Sequence, residues 1–127
     1  MKLDQQLLDE LFTQAKSNQR LRFAYDLRTS AKDSSQRMLN ALLPGTQVAV
    51  HKHPNSSENM VCLCGRLDVI LCDDNGCEVN RIHVRPSKGN FGCVVPADTW
   101  HTIEVIEPSV IYEGKDGKYG EDGSVTL

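Results

Sequence analysis

Between Leu3 and Lys16 the apolar positions Leu3, Leu7, Leu8, Leu11, Phe12 and Ala15 recur at intervals of three and four, with Gln5, Asp9, Glu10 and Lys16 elsewhere. That spacing gathers the apolar side chains on one face and predicts an amphipathic N-terminal helix over residues 3–16. After Arg20 the period drops to two. Leu21, Phe23, Tyr25 and Leu27 fall on one side of the chain, as in a half-buried strand. A polar loop follows, and then strand-like runs recur at 37–42, 47–53, 59–65, 66–72, 77–84, 91–95, 100–106 and 109–114. Each is bounded by Pro, Gly, Asn, Asp or Ser. Within Cys72–Cys77 the pair Asn75-Gly76 predicts a hairpin closed by a type I′ turn. One helix ahead of a series of short antiparallel strands predicts an all-β sandwich or small barrel. The chain divides into a helical segment at 1–20, a barrel at 21–114 and a glycine-rich, charged segment at 115–127 that reads as a flexible tail.

At 127 residues the chain fits one domain. Its 14 basic and 17 acidic residues give no electrostatic grip on nucleic acid or an anionic membrane. The apolar run Met60–Cys64 is far shorter than the ~18 residues of a membrane span, and Asp4, Asp9 and Glu10 stand where a signal peptide is apolar. Five cysteines without a Cys-X-X-Cys pair suit reduced thiols and a cytoplasmic location.

The chemistry concentrates in the middle of the chain. His51 and His53, two residues apart in a strand, share a face with Gln47 and Ala49, while Val48, Val50 and Lys52 face the other way. Pro54–Ser57 breaks the strand, and an antiparallel partner would bring Glu58 back opposite the histidines. Imidazole with carboxylate suits Mn, Fe, Co, Ni, Cu or Zn rather than Ca or Mg. A lone His-X-His pair is as often a packing or surface feature as a ligand pair. His101, at a predicted strand start behind a Pro-containing turn, adds another ligand of the right type. Gln47 shares the histidines' parity and is the candidate substrate contact. Arg22, Tyr25 and Arg37 are further candidates for substrate contact, though each reads more readily as a solvated or salt-bridged surface position. His83 reads as structural or exposed, and Trp100 and Lys52 as facing outward. Cys62 and Cys64 share the parity of Glu58 and point inward, where they read as small hydrophobes rather than ligands.

Gly45, His51, His53, Glu58 and Gly65, separated by five, one, four and six residues, resemble the complete first motif of the cupin superfamily. The second motif is met in part. Pro96 and His101 are in register, but Asp98 stands in place of the inner glycine, Val105 in place of the asparagine and Asn90 at the first glycine. The turn before His101 is therefore expected to be shaped differently. Over residues 34–58, 73–76, 91–102 and 107–119 the chain also resembles the WbuC-type cupin-fold metalloproteins, often encoded among genes for O-antigen or other surface polysaccharides.

The resemblance implies a cupin (double-stranded β-helix, jelly-roll) barrel with a divalent transition metal, Zn, Fe, Mn, Ni or Cu, held by His51, His53, Glu58 and His101. It further implies a small-molecule ligand and a homodimer. Three functions stay open. The first is a metal-dependent enzyme acting on a sugar or nucleotide-sugar of surface-polysaccharide biosynthesis, with Glu58 as its base. The others are an iron- or copper-dependent dioxygenase and a non-catalytic binding or regulatory module.

Overall fold

In the computed structural model, which describes residues 1–118 and 120–127, the side chain of Asp4 accepts a hydrogen bond from Leu7 N at 3.0 Å. This cap satisfies a free N-terminal donor, so helix α1 runs Gln5–Lys16 and Leu3 is left outside it, exposed. Leu8, Leu11 and Ala15 form its buried face. They pack with Leu39, Ala41 and Val110, and with Phe23, Tyr25 and Leu27, against the outer side of the sheet.

That sheet begins with β1 (Arg22–Asp26) antiparallel to β2 (Ser35–Leu42). Leu39 and Ala41 of β2 face the helix, whereas Gln36, Met38, Asn40 and Leu42 line the barrel interior. Cover on both faces explains why this stretch lacks a clean alternation of apolar and polar residues.

The barrel is organised by β4 (Glu58–Cys72) and β7 (His101–Asp116), of 15 and 16 residues, which pair from Leu71 opposite His101 to Asn59 opposite Gly114. The sequence pattern predicts two strands for each, broken at Gly65 and near Pro108. Instead both continue through one shared corner, where the register shifts between Cys62 and Leu67. Gly65 sits at φ +104, and a Cβ there would lie 2.2 Å from Ser109 Oγ and 2.4 Å from Pro108 O. Only glycine lets the two corners nest this closely. The bulge also overturns the shared parity of the two cysteines. Cys62 stays in the barrel core while Cys64 turns out against the helix side.

Around this pair, β5 (Glu78–Val84) and β6 (Gly92–Val95) join β4, and β3 (His51–Lys52) joins β7 and β8 (Val125–Thr126). The result is an all-β jelly-roll barrel, the double-stranded β-helix of cupins, preceded by a helix. Of the run 47–53 only His51 and Lys52 enter the ladder. The hairpin at Cys72–Cys77 forms, but Gly76 alone takes positive φ there, so its turn is not type I′. Asp73 Oδ1 accepts from Asn75 N and Cys77 N, both at 2.9 Å, and this side-chain turn reinforces the backbone bond from Gly76 N to Asp73 O at 3.0 Å. The segment 115–127, expected as a loose tail, includes Tyr119, which lies outside the described residues. Its described part folds back, and β8 pairs with β3. Among the described residues no helix is long and apolar enough to cross a membrane.

Met60, Cys62, Leu67, Val69, Val84 and Ile111 fill the barrel core. On its outside, the nearly buried Asp68 carboxylate accepts from Arg81, His83 and Arg85, each at 2.9 Å, tying β5 to β4. Burial pushes this carboxyl up, but the donated hydrogen bonds outweigh it and hold it below its ordinary 3.8. A depressed folded-state pKa stabilises the protein above the unfolded value and ceases to do so as pH falls through the folded one. Asp68→Asn is therefore expected to lower unfolding free energy by about 1–3 kcal/mol at neutral pH. In urea titrations the difference from the parent should shrink below about pH 3.8.

Candidate metal centre

The pairing of β3 with β7 sets His51 directly opposite His101, and His53 follows just beyond the strand. The imidazole centroids lie 4.3 Å apart for His51 and His101, 5.1 Å for His51 and His53, and 5.4 Å for His53 and His101. One nitrogen from each ring falls within 4.8 Å of the others.

What turns proximity into a donor set is the other nitrogen. His51 Nδ1 donates to Ala49 O and His101 Nδ1 to Thr99 O, each at 2.8 Å. His53 Nδ1 lies 2.6 Å from Ser124 Oγ and 3.1 Å from Asp122 Oδ2, while Ser124 Oγ itself donates to Asp122. These acceptors assign the proton to Nδ1 in all three rings, which leaves each Nε2 with a free lone pair. Among the described residues His101 Nε2 is buried without a hydrogen-bond partner, and His53 Nε2 meets only the Glu58 carboxylate. A buried acceptor left unpaired is costly, and a metal ion would satisfy both at once.

Glu58 is not part of that three-nitrogen group, but it reaches two of the rings by a different route from the one expected. It pairs with Val95 of β6, not with β3, and barrel closure brings Oε2 to 3.1 Å from His53 Nε2 and Oε1 to 3.8 Å from His101 Nε2. Burial pushes the Glu58 carboxyl up; without a metal, a hydrogen bond from His53 and the charge of His53 and His101 when their rings are protonated outweigh burial and hold it below the usual range. Burial lowers the His101 pKa, so its ring favours the neutral form that a metal needs.

Asp98 keeps the turn before His101 in shape. Its φ of 59 lies in the left-handed region that the glycine of the motif would take, its N–H donates to His53 O at 2.9 Å, and its carboxylate meets Lys52 Nζ at 3.0 Å. Lys52 Nζ also sits 4.6 Å from the centre of the Trp100 ring, outside the site.

The centre opens into a cavity of about 560 Å³, within the range of small-molecule sites. His53, Glu58, His101 and Gln36 are its buried polar parts, and Arg20 and Gln47 are exposed at its mouth. Gln47 thus lines the cavity, as does Arg22, a candidate contact for which the sequence alone favours a surface position. Tyr25 packs with the helix-side cluster, and Arg37 pairs with Asp33 at 3.6 Å. Neither Cys62 nor Cys64 lines the cavity. Burial pushes the Cys62 thiol up to about 11, so it stays protonated.

Two groups escaped the sequence reading. Glu113 lines the cavity and accepts from Asn40 Nδ2. Burial, then the charge of Glu58 and a hydrogen bond to it, raise its carboxyl to about 8. Its signal was present, since Glu113 continues the odd-numbered alternation of His101, Ile103, Val105 and Ile111. The other group is the clamp on His53. Asp122 lies 2.5 Å from the buried Lys115 Nζ. Burial opposes its charge, but hydrogen bonds from Lys115 and Ser124 hold its carboxyl far below the usual range.

The fold and the histidine cluster define a cupin-fold protein with a candidate metal site. The chain belongs to the family described as a domain of unknown function, DUF6016, whose model matches residues 3–84. No curated protein matches it. Among solved structures it is similar to TT1209 from Thermus thermophilus, with 20% identity, TM-score 0.66, and coverage of 93% of this chain and 99% of that one. It is similar to the capsular polysaccharide assembling protein CapF from Staphylococcus aureus, with 20% identity, TM-score 0.62, and coverage of 75% of this chain but 27% of CapF. An oxalate oxidase in complex with the substrate analogue glycolate gives 17% identity and TM-score 0.64 over 87% of this chain and 57% of that one. Identities this low establish a shared fold.

Protein purified without tag or chelator is expected to carry about one transition-metal ion per chain by elemental analysis. His101→Ala should lose it. Asp122→Asn should weaken it roughly 10- to 100-fold in competition with a chelating dye, because His53 loses an orienting acceptor.

Proposed function

We propose that the protein is a metal-dependent enzyme acting on a sugar or nucleotide-sugar of surface-polysaccharide biosynthesis. The observation that carries this reading is the set of three Nδ1-anchored histidines converging, with Glu58, at one wall of an open cavity. His51, His53, His101 and Glu58 are the residues that would hold the metal. A bound divalent ion supplies Lewis acidity, polarising a carbonyl or hydroxyl oxygen of the substrate. Glu58 is the base that takes the substrate proton. Glu113, its carboxyl raised by burial and by the charge of Glu58, is the group that returns one, since paired carboxyls in contrasting environments divide acid and base work between them. Gln47 at the mouth contacts the substrate.

The surface-polysaccharide context is supported by the likeness in fold to CapF and by the residues shared with WbuC-type proteins. A cytoplasmic location belongs to the same reading. So does a homodimer, whose contact is offered by Val61, Leu63, Phe91 and Val94, exposed on and beside the neighbouring strands β4 and β6; sedimentation as a monomer would remove it.

The test is turnover of metal-loaded protein on a panel of sugars and nucleotide-sugars in D2O without oxygen. NMR is expected to show solvent deuterium entering a carbon-bound position, and Glu58→Gln should slow this at least about 100-fold. No turnover without oxygen, but turnover that consumes oxygen once it is admitted, would reassign the protein as a dioxygenase. Ligand binding without turnover under any metal would make it a binding module.

A further inference from the structure

The chain has seven arginines. The five outside the cavity are each ion-paired to Asp or Glu at 2.8–3.8 Å. Arg20 and Arg22, the two that line the cavity, have no carboxylate partner among the described residues. The Arg22 guanidinium makes a single long contact, 3.4 Å from Nη1 to the backbone oxygen of Gln47 across the mouth.

Local structure holds the pair there. Leu21 between them adopts φ 57, a conformation that a leucine rarely takes, and its side chain packs into the helix-side cluster. Leu21 O accepts from Leu43 N and Leu21 N donates to Asn18 O, both at 3.0 Å. With the leucine anchored outward, its two charged neighbours border the cavity.

A second observation lies deeper. Gln36, 5% exposed, lines the same cavity, and its Oε1 is buried without a hydrogen-bond partner. An orphaned acceptor facing a cavity asks for a donor on whatever fills it. Guanidinium groups without internal partners ask for an anion, which they bind through two parallel N–H donors.

We propose that the cavity takes a small polyhydroxylated anion, its carboxylate or phosphate group held at the mouth by Arg22 and Arg20 and one of its hydroxyls donating to Gln36 Oε1. This deepens the proposed function by naming the charge of the substrate, and it rests on the cavity being the ligand site. It does not depend on which reaction follows.

The test compares matched charged and neutral probes by calorimetry on metal-loaded protein: glucuronate against glucose, and glycerol phosphate against glycerol. The charged member of at least one pair is expected to bind ten- to a hundredfold more tightly. Arg22→Gln should remove most of that preference, Arg22→Lys should restore part of it, and molar salt should suppress it. Arg20→Gln, at an exposed position, should weaken it without touching the fold. If phosphate and carboxylate probes differ, the tighter one identifies the anion. Equal binding of charged and neutral probes, no binding of any charged probe, or an unchanged preference in folded Arg22→Gln would each overturn the proposal. Metal content measured on the same samples separates this from failure of the metal centre, since Arg20 and Arg22 are not among its ligands.

Discussion

An imidazole has two nitrogens, and the protein decides the role of each by what it offers the other. Here all three Nδ1 atoms face oxygen acceptors: two backbone carbonyls of the residues two positions earlier, and the Asp122–Ser124 pair brought in from the far end of the chain. The proton is thereby fixed on the outer nitrogen and the lone pair on the inner one. Two of the inner nitrogens are sealed from water, with no neighbour among the described residues but the Glu58 carboxylate, so the arrangement costs stability unless a ligand fills it. Much of the surrounding architecture serves to maintain that condition.

Burial of the cluster requires the barrel to close, and closure requires β4 and β7 to bend together. Gly65 permits the bend by leaving space that Ser109 and Pro108 occupy. Helix α1 covers the outer face of β1 and β2, which frees the inner face of β2 to carry Gln36 and Asn40. The cavity can be polar on this wall because the apolar demand of the strand is met on its other side. The same division of labour places Glu113 opposite the histidines and Asn40 beside Glu113.

The helix, the barrel class and the ligand-type residues were legible in sequence because each depends on local spacing. His51, His53 and Glu58 lie within one short stretch, and strand parity acts over two residues at a time. Parity failed at Cys64 because a bulge resets it, and that bulge depends on a close approach between Gly65 and Ser109 which no local pattern encodes. The turn at Asn75-Gly76 differed because the Asp73 side chain supplied the hydrogen bonds that a type I′ backbone would have arranged differently. Asp122 and Ser124 were out of reach, being 69 and 71 residues from His53. Their glycine-rich surroundings announce a loop without saying where the loop goes. Arg22 was legible only as a weak candidate for a related reason: its place in a strand is local, whereas its lack of an acidic partner is a property of the folded surface.

The proposed metal centre turns on the inner nitrogens of His51, His53 and His101 sharing one ion, and X-ray absorption of the metal-loaded protein observes that directly. The expected spectrum shows imidazole scattering from about three rings, with nitrogen or oxygen neighbours at roughly 2.0–2.2 Å for a zinc-like ion. It shows no sulfur. A shell of sulfur at about 2.3 Å, or a first shell without imidazole, would contradict a three-histidine centre.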